Sequence, residues 1–474
     1  MTRREIILCI LAAGSGFIMM VYELVAARML APYVGSSTYV WTSVIGVIVA
    51  ALSVGYWAGG RIADIRKEPL DVAFLFFAVA IGAIMTMQGF ESTLGSIVLL
   101  DIDMRLQAVL ATVLLFSPVS VMVGMISPYL AKLNVRDLQS SGRAVANLSA
   151  FNSMGGIFGT FLTGFFLFNH FGVSGIMTGL IVLSVVFAWG IEPKKYLRPR
   201  LIAMSVVVVL AILASVGQKD VKAIETASAH YVVAEEQGMD GTLRTLITSP
   251  TGRQSGVYVD NPDSLAFWYT REMADVVEQK SDVDSILMLG GGGFTLPRYL
   301  AEKYPDAMID VVEIDPKLVE IAREDFFYDD PENVTPIAED ARTYINYNTK
   351  QYDVVLIDVF GGDSIPFTLM SSEYGDALKK AVKPGGWVVI NTIAGLRGDC
   401  KVLFDATVAP YRTRFEHGEF LMRNLRQSST NIIAVFSDNP MQLANYSSFS
   451  WGVGPIYYDN YVPAERLNTS CRDI

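Results

Sequence analysis

The chain of 474 residues carries a formal net charge of -11, only 18% charged residues and a mean hydropathy of +0.37. That balance is too apolar for an ordinary soluble protein of two or three domains. There is no basic stripe with interleaved aromatics, which argues against a nucleic-acid partner, and three cysteines with three histidines leave no zinc-ligand pattern.

Apolar residues concentrate before about residue 216, and nearly all the acidic excess lies after it. The division predicts a membrane half, 1–216, followed by an acidic, water-facing half. Seven stretches are long enough to cross ~30 Å of hydrocarbon as helix: roughly 6–30, 38–60, 70–90, 106–131, 144–168, 173–191 and 201–216. The first has no small-residue cleavage site and reads as a helix, not a cleaved leader. Pro118 and Pro128 predict a kink or a re-entrant turn in the fourth, and Gly155, Gly156 and Gly159 predict close helix packing in the fifth. Glu23 and Arg28 stand five residues apart, about 140° around the first helix, so each needs its own partner or the membrane interface. Lys and Arg cluster in alternate connections, at 3–4, 61–67, 132–143 and 194–200. This bias predicts a cytoplasmic N-terminus in a plasma (inner) membrane. Seven spans then carry the acidic half to the outside, where Cys400 and Cys471 are free to pair. If 201–216 lies along the membrane, the acidic half returns inside.

Residues 217–284 read as a small β layer. The β-prone runs 231–236 and 242–248 are joined through Gly238-Met239-Asp240-Gly241, a second turn at 249–252 leads into 254–259, and an amphipathic helix follows at 264–279. From 285 to 440 strands and helices alternate, the pattern of a doubly wound, Rossmann-like α/β sheet, with 441–474 as a C-terminal tail. The strands are 285–289, 308–314, 334–338, 354–357 and 387–391, with closing antiparallel pieces near 415–422 and 431–436. Ligands of such sheets bind outside the carboxyl ends of the strands. Gly290 to Gly293 follow strand one, and Glu313 stands about 20 positions later, where an acid accepts ribose hydroxyls. Asp340 ends strand three, placed for an adenine amino group, and Asp358 ends strand four in the same crevice.

The runs "ILMLGGGGFTLPRYL", "VVEIDPKLVEIARE", "IAEDARTYI" and "YDVVLIDVFGGDSIPFTLMSSEYGDALKKAVKPGGWVVIN" resemble the polyamine aminopropyltransferases in order and spacing. "SGFIMMVYELVAARMLAPYVGSSTYVWTSVIG", "GRAVANLSAFNSMGGIFGTFLTGF" and "YYDNYVPAERL" are similar to the membrane-fused, spermidine synthase-like branch of that family. The resemblance implies a spermidine synthase fold with an N-terminal β-hairpin layer. It also implies aminopropyl transfer from decarboxylated S-adenosylmethionine to an amine or polyamine without a metal, and it allows a homodimer. Asp358 would be the catalytic base. Gly290, Gly292, Glu313, Asp315, Asp340, Ala341 and Pro366 would hold the adenosyl group, and Tyr231, Gln254, Tyr269 and Asp363 the amine. Departures fall on the amine side: Gly293 and Gly361 stand where the family has aspartates, Thr270 where it has a histidine, and Tyr231 where it has a glutamine. The acceptor is therefore open. Two alternatives remain at this level. Methyl transfer from S-adenosylmethionine needs a cation for the donor's carboxylate, for which Arg298 is the candidate. A transporter or sensor would bind a nucleoside or polyamine without turnover.

Overall fold

Long apolar runs with few breakers build the first part of the chain as helices. The computed structural model describes residues 2–472 apart from 35–37, 67, 99, 101, 136–140, 191–195, 217–221, 227, 239–240, 250–251, 360–365 and 425–428. It divides into two units, Met1–Val221 with Glu225–Ala227, and Lys222–Ile224 with Ser228–Ile474.

In the first unit, α1 (Arg3–Val34), α2 (Thr38–Ile65) and α3 (Pro69–Val98) are continuous. The fourth expected span breaks at Phe116 into α4 (Met104–Leu115) and α5 (Ser117–Asn134), which are bent by 54°, with Pro118 in the first turn after the break. α6 (Ser141–Leu162) passes through a π-helical turn, Thr163–Leu167, into the short α7 (Phe168–His170). α8 (Val173–Gly190) and α9 (Leu197–Val216) complete the unit. A Cβ on Gly155 would lie 1.8 Å from the Ala13 carbonyl oxygen, so only glycine lets α1 and α6 approach this closely. Ser15 Oγ donates to Asn152 Oδ1 at 3.0 Å across the same pair. The unit has an apolar core around Phe76, Phe77 and Phe116, yet Trp57, Phe158, Phe165 and Ile202 face outward.

Among the described residues, five helices are long and apolar enough to cross a membrane, six if the bent pair is one span. The expectation was seven stretches, the fourth of them kinked or re-entrant. The fourth is broken at its proline turn, and the seventh, α9, is a helix whose side chains at 214–216 lie outside the described residues.

The second unit opens with β1 (Lys222–Glu225), β2 (His230–Gly238), β3 (Gly241–Ser249) and β4 (Gly252–Tyr258), a sheet in the order β1-β2-β3-β4. β2 pairs antiparallel with β3, and β3 with β4. The central residues of the two expected turns, 239–240 and 250–251, lie outside the described residues. After α10 (Trp268–Glu278) the α/β alternation follows: β5 (Ser285–Leu289), α11 (Thr295–Lys303), β6 (Met308–Glu313), α12 (Lys317–Asp325), β7 (Val334–Ala338), α13 (Ala341–Tyr347) and β8 (Tyr352–Ile357). A 3-10 turn at Phe367–Leu369 precedes α14 (Ser372–Ala381), β9 (Val382–Ala394), α15 (Gly398–Arg412), β10 (His417–Met422), β11 (Thr430–Ser437), β12 (Ser447–Ser448) and α16 (Ala464–Arg472).

The large sheet runs β12-β10-β11-β9-β8-β5-β6-β7, parallel from β9 to β7 and antiparallel at its β10–β11 edge. The order reverses at β5, which lies between β6 and β8, so their carboxyl ends open a crevice at the switch point. The last parallel strand was expected to begin at 387, which leaves Lys383-Pro384-Gly385-Gly386 ahead of it. That stretch is instead a bulge inside β9: Tyr352 pairs with Val382 but Val354 with Trp387, and Gly385 takes φ +74. Cys400 on α15 and Cys471 on α16 form a disulfide with Cα atoms 4.4 Å apart. Closing a loop across 71 positions stabilises the fold by about 4 kcal/mol on the chain-entropy view.

Candidate active site

The apolar strand β5 is wholly buried and delivers the chain to the glycine loop at the switch point. Gly290 takes φ +92, and a Cβ there would lie 2.1 Å from the Asp358 carbonyl oxygen. Both the backbone angle and the close approach therefore require glycine. The next two amides turn toward strand β6: Gly291 N and Gly292 N donate to Glu313 Oε2 at 2.9 and 3.1 Å, and Asp315 N donates to Glu313 Oε1 at 3.1 Å. Burial raises the Glu313 carboxyl pKa, and these three amide bonds oppose the rise. Glu313 thus organises the loop as well as lying where a ribose would be met. Two carboxylate oxygens offer about four acceptor directions, which leaves room for a hydroxyl.

Asp358 ends β8. Its amide donates to Leu289 O at 2.9 Å, its side chain accepts from Asn391 Nδ2 at 2.9 Å, and the Tyr269 hydroxyl interacts with its charge. Asn391 in turn accepts from Asn431 Nδ2 at 3.0 Å, so two strand asparagines hold the carboxylate in line. Burial pushes the Asp358 pKa up to about 6, the Glu313 charge adds to the rise, and the Asn391 and Tyr269 side chains oppose it.

The hairpin layer closes the acidic side. Burial, with the Asp315 and Glu313 charges nearby, keeps the Tyr231 phenol protonated far above its usual range. The Tyr269 hydroxyl also meets the Gln254 carbonyl at 3.0 Å, and burial and Asp358 raise it likewise. Gln254 Oε1 is buried without a hydrogen-bond partner among the described residues, an acceptor left open. Ser255 Oγ accepts from Gly293 N at 2.8 Å.

Of the residues expected from sequence, Gly290, Gly292, Glu313, Asp315, Asp358, Tyr231, Gln254 and Tyr269 come together. Asp340 does something further: it caps α13, its Oδ1 accepting from Thr343 N and Oγ1 at 2.9 and 3.1 Å. Ala341 begins that helix, and exposed Pro366 precedes the 3-10 turn. Among the described residues, no hydrogen bond ties either to the cluster. Asp363 and Gly361 lie outside the described residues. Arg298 donates to Phe327 O and Pro262 O and pairs with Asp263 at 3.4 Å, so its guanidinium is engaged. One of the departures, Gly293, has a steric cause. A Cβ at Gly293 would lie 2.9 Å from the Ser255 Cβ, and Thr270 is buried with its hydroxyl on Phe267 O. Sequence reasoning missed Asn391, Asn431 and Ser255. A lone asparagine ending the apolar run "WVVIN" was the available signal for the first.

The family model "Spermine/spermidine synthase domain" matches residues 266–395. A polyamine aminopropyltransferase of Vibrio vulnificus is 35% identical over 166 residues, 34% of this chain and 53% of that protein. One from Chromobacterium violaceum is 29% identical over 157 residues, covering 33% and 60%. The chain thus spans between half and two-thirds of the length of these curated relatives. A crystal structure of a probable spermidine synthase from Corynebacterium glutamicum aligns at TM-score 0.42 and 24% identity, covering 49% of this chain and 95% of that one. Residues 266–395 are thus similar to a spermine/spermidine synthase domain, and the N-terminal helical region lies outside the matched segment.

Proposed function

We propose that the protein is a membrane-bound aminopropyltransferase that moves the aminopropyl group of decarboxylated S-adenosylmethionine to an amine. The carrying observation is the buried Asp358 carboxylate, held by Asn391 at the sheet's switch point, where Glu313 and the glycine loop also lie. An acidic crevice suits a donor and an acceptor that are both cationic. Glu313 with the glycine loop would take the ribose, and Asp340 with Ala341 the adenine. Tyr231, Gln254 and Tyr269 line the side from which the amine enters.

An ammonium, with a pKa near ~10, must lose a proton before it attacks. Asp358, at about 6, is ionised at neutral pH and accepts that proton. The amine nitrogen then bonds to the aminopropyl carbon, the carbon–sulfur bond breaks, and its electron pair stays on sulfur. The products are a longer polyamine and neutral 5′-methylthioadenosine. Because the sulfonium is already an activated leaving group, positioning and deprotonation supply the catalysis. Methyl transfer from S-adenosylmethionine requires a group to meet the donor's carboxylate, and the engagement of Arg298 elsewhere weighs against it. Membrane attachment is supported by the five or six apolar helices with their outward aromatic side chains.

The test incubates the purified full-length chain with decarboxylated S-adenosylmethionine and a panel of diamines and polyamines, reading 5′-methylthioadenosine release. Release that depends on an amine and vanishes in Asp358→Asn, with 5′-methylthioadenosine binding retained, is the expected result. No release with any amine, together with amine methylation from S-adenosylmethionine, would replace this reading by the methyltransferase one.

A further inference from the structure

Arg342 is the second residue of α13, directly after Asp340 and Ala341, and only 12% of its side chain is exposed. Its guanidinium gathers three acceptors from two separate stretches of chain. Nη1 donates to Thr368 O and to Ser371 Oγ, both at 3.2 Å, and Nη2 donates to Asp459 Oδ2 at 2.7 Å. The guanidinium also lies over the Tyr374 ring, 5.7 Å from its centroid. The first stretch, 366–371, begins with Pro366. The second is the C-terminal tail, which fastens onto the same place a second time: Ser372 N donates to Tyr457 O at 2.8 Å, and Asp459 N donates to Glu373 Oε2 at 3.0 Å. Farther along the tail, α16 is bonded covalently to α15 through Cys400–Cys471.

The site needs α13 and segment 366–371 at a fixed separation, since they carry the candidate adenine contacts Asp340, Ala341 and Pro366. No hydrogen bond joins those three residues to one another among the described residues. Resting on the adenosyl-site reading above, we infer that Arg342 is a positioning residue that sets the width of the adenine pocket, and that the C-terminal tail, through Asp459, is a working part of that pocket. A planar fork can hold a backbone carbonyl, a hydroxyl and a carboxylate at once, whereas an ammonium on a flexible stem cannot. The tail's role follows from its charge: Asp459 neutralises a guanidinium that is otherwise largely enclosed.

The experiment measures 5′-methylthioadenosine binding by calorimetry on the full-length chain in detergent, for wild type, Arg342→Lys, Asp459→Ala and the double variant. Asp330→Ala serves as comparator, because its ion pair with Arg323 lies on the exposed end of α12. Both clamp variants should weaken the dissociation constant about tenfold with the binding stoichiometry unchanged. The double variant should be no worse than the poorer single one, because both act through one contact. Asp330→Ala should bind as wild type. A merely structural role would instead lower the fraction of competent protein and leave the dissociation constant of the remainder alone. Wild-type affinity in both clamp variants, or loss of stoichiometry alone, overturns the inference and leaves the adenosyl-site reading standing. A wild-type protein that does not bind 5′-methylthioadenosine overturns that reading, and the inference with it.

Discussion

Asn391 illustrates how one uncharged side chain sets the working pH of a carboxylate. Its amide favours the ionised form of Asp358, so it holds down a pKa that burial has raised to about 6. In the free enzyme, kcat/KM should therefore climb as pH rises through about 6. Asn391→Ala removes a hydrogen bond to a charged group and should move that limb to higher pH by about one unit. A limb that stays in place when profiles are recorded on the two proteins would detach Asn391 from Asp358. The same raised pKa also bears on stability. The protonated form of Asp358 favours the fold below about pH 4, and that contribution is lost as pH rises through about 6. Asp358→Asn should accordingly raise Tm at pH 8 and lose the gain by pH 4, which thermal unfolding at the two pH values reads without any substrate. The acids at strand ends were legible in the sequence because each one closes or follows a short apolar run that reads as a strand. Asn391, Asn431 and Ser255 were not. A polar residue in an apolar strand acquires meaning only when the topology brings its partner alongside, and β9 meets β8 across a connection that includes α14.

At the scale of elements, the parallel strands could be read from apolar runs of five or six residues alternating with amphipathic ones. β5 to β8 end within two positions of expectation, whereas β9 starts five residues earlier and ends three later than expected. The helix α15 could not be read. Gly398 opens it, Pro410 lies inside it, and Val402, Thr407 and Val408 are poor helix formers. Ten of its residues are buried, so packing and the Cys400 bond to α16 override local preference. The turn after β5 is the reverse case, where a local rule and the tertiary structure agree. Gly290 joins β5 to the glycine loop at the point where the end of β8 passes closest. Gly290→Ala should push the Asp358 backbone aside, strain a residue held at φ +92 and lower 5′-methylthioadenosine affinity by at least tenfold. Wild-type affinity by calorimetry would show that the two strand ends are free to separate.

On the scale of the whole molecule, apolar helices and an acidic α/β unit share one chain, and the charge asymmetry between them was the first thing the sequence disclosed. The number of crossings was less legible, because hydropathy counts apolar residues and is blind to a 54° bend within a run of them. The covalent link between α15 and α16 turns the protein's own thiols into a reporter of its surroundings. Cys9 on α1 is free and buried, while Cys400 and Cys471 are joined. If the acidic unit faces an oxidising compartment, as the bond favours, protein that is acid-quenched in cells, denatured and alkylated should gain a single adduct by mass spectrometry. Prior reduction should raise that to all three cysteines of the chain. Three adducts without reduction would argue for the side where adenosyl-sulfonium donors are made, and the tail would then be held by non-covalent contacts, those of Arg342, Ser372 and Glu373 among them.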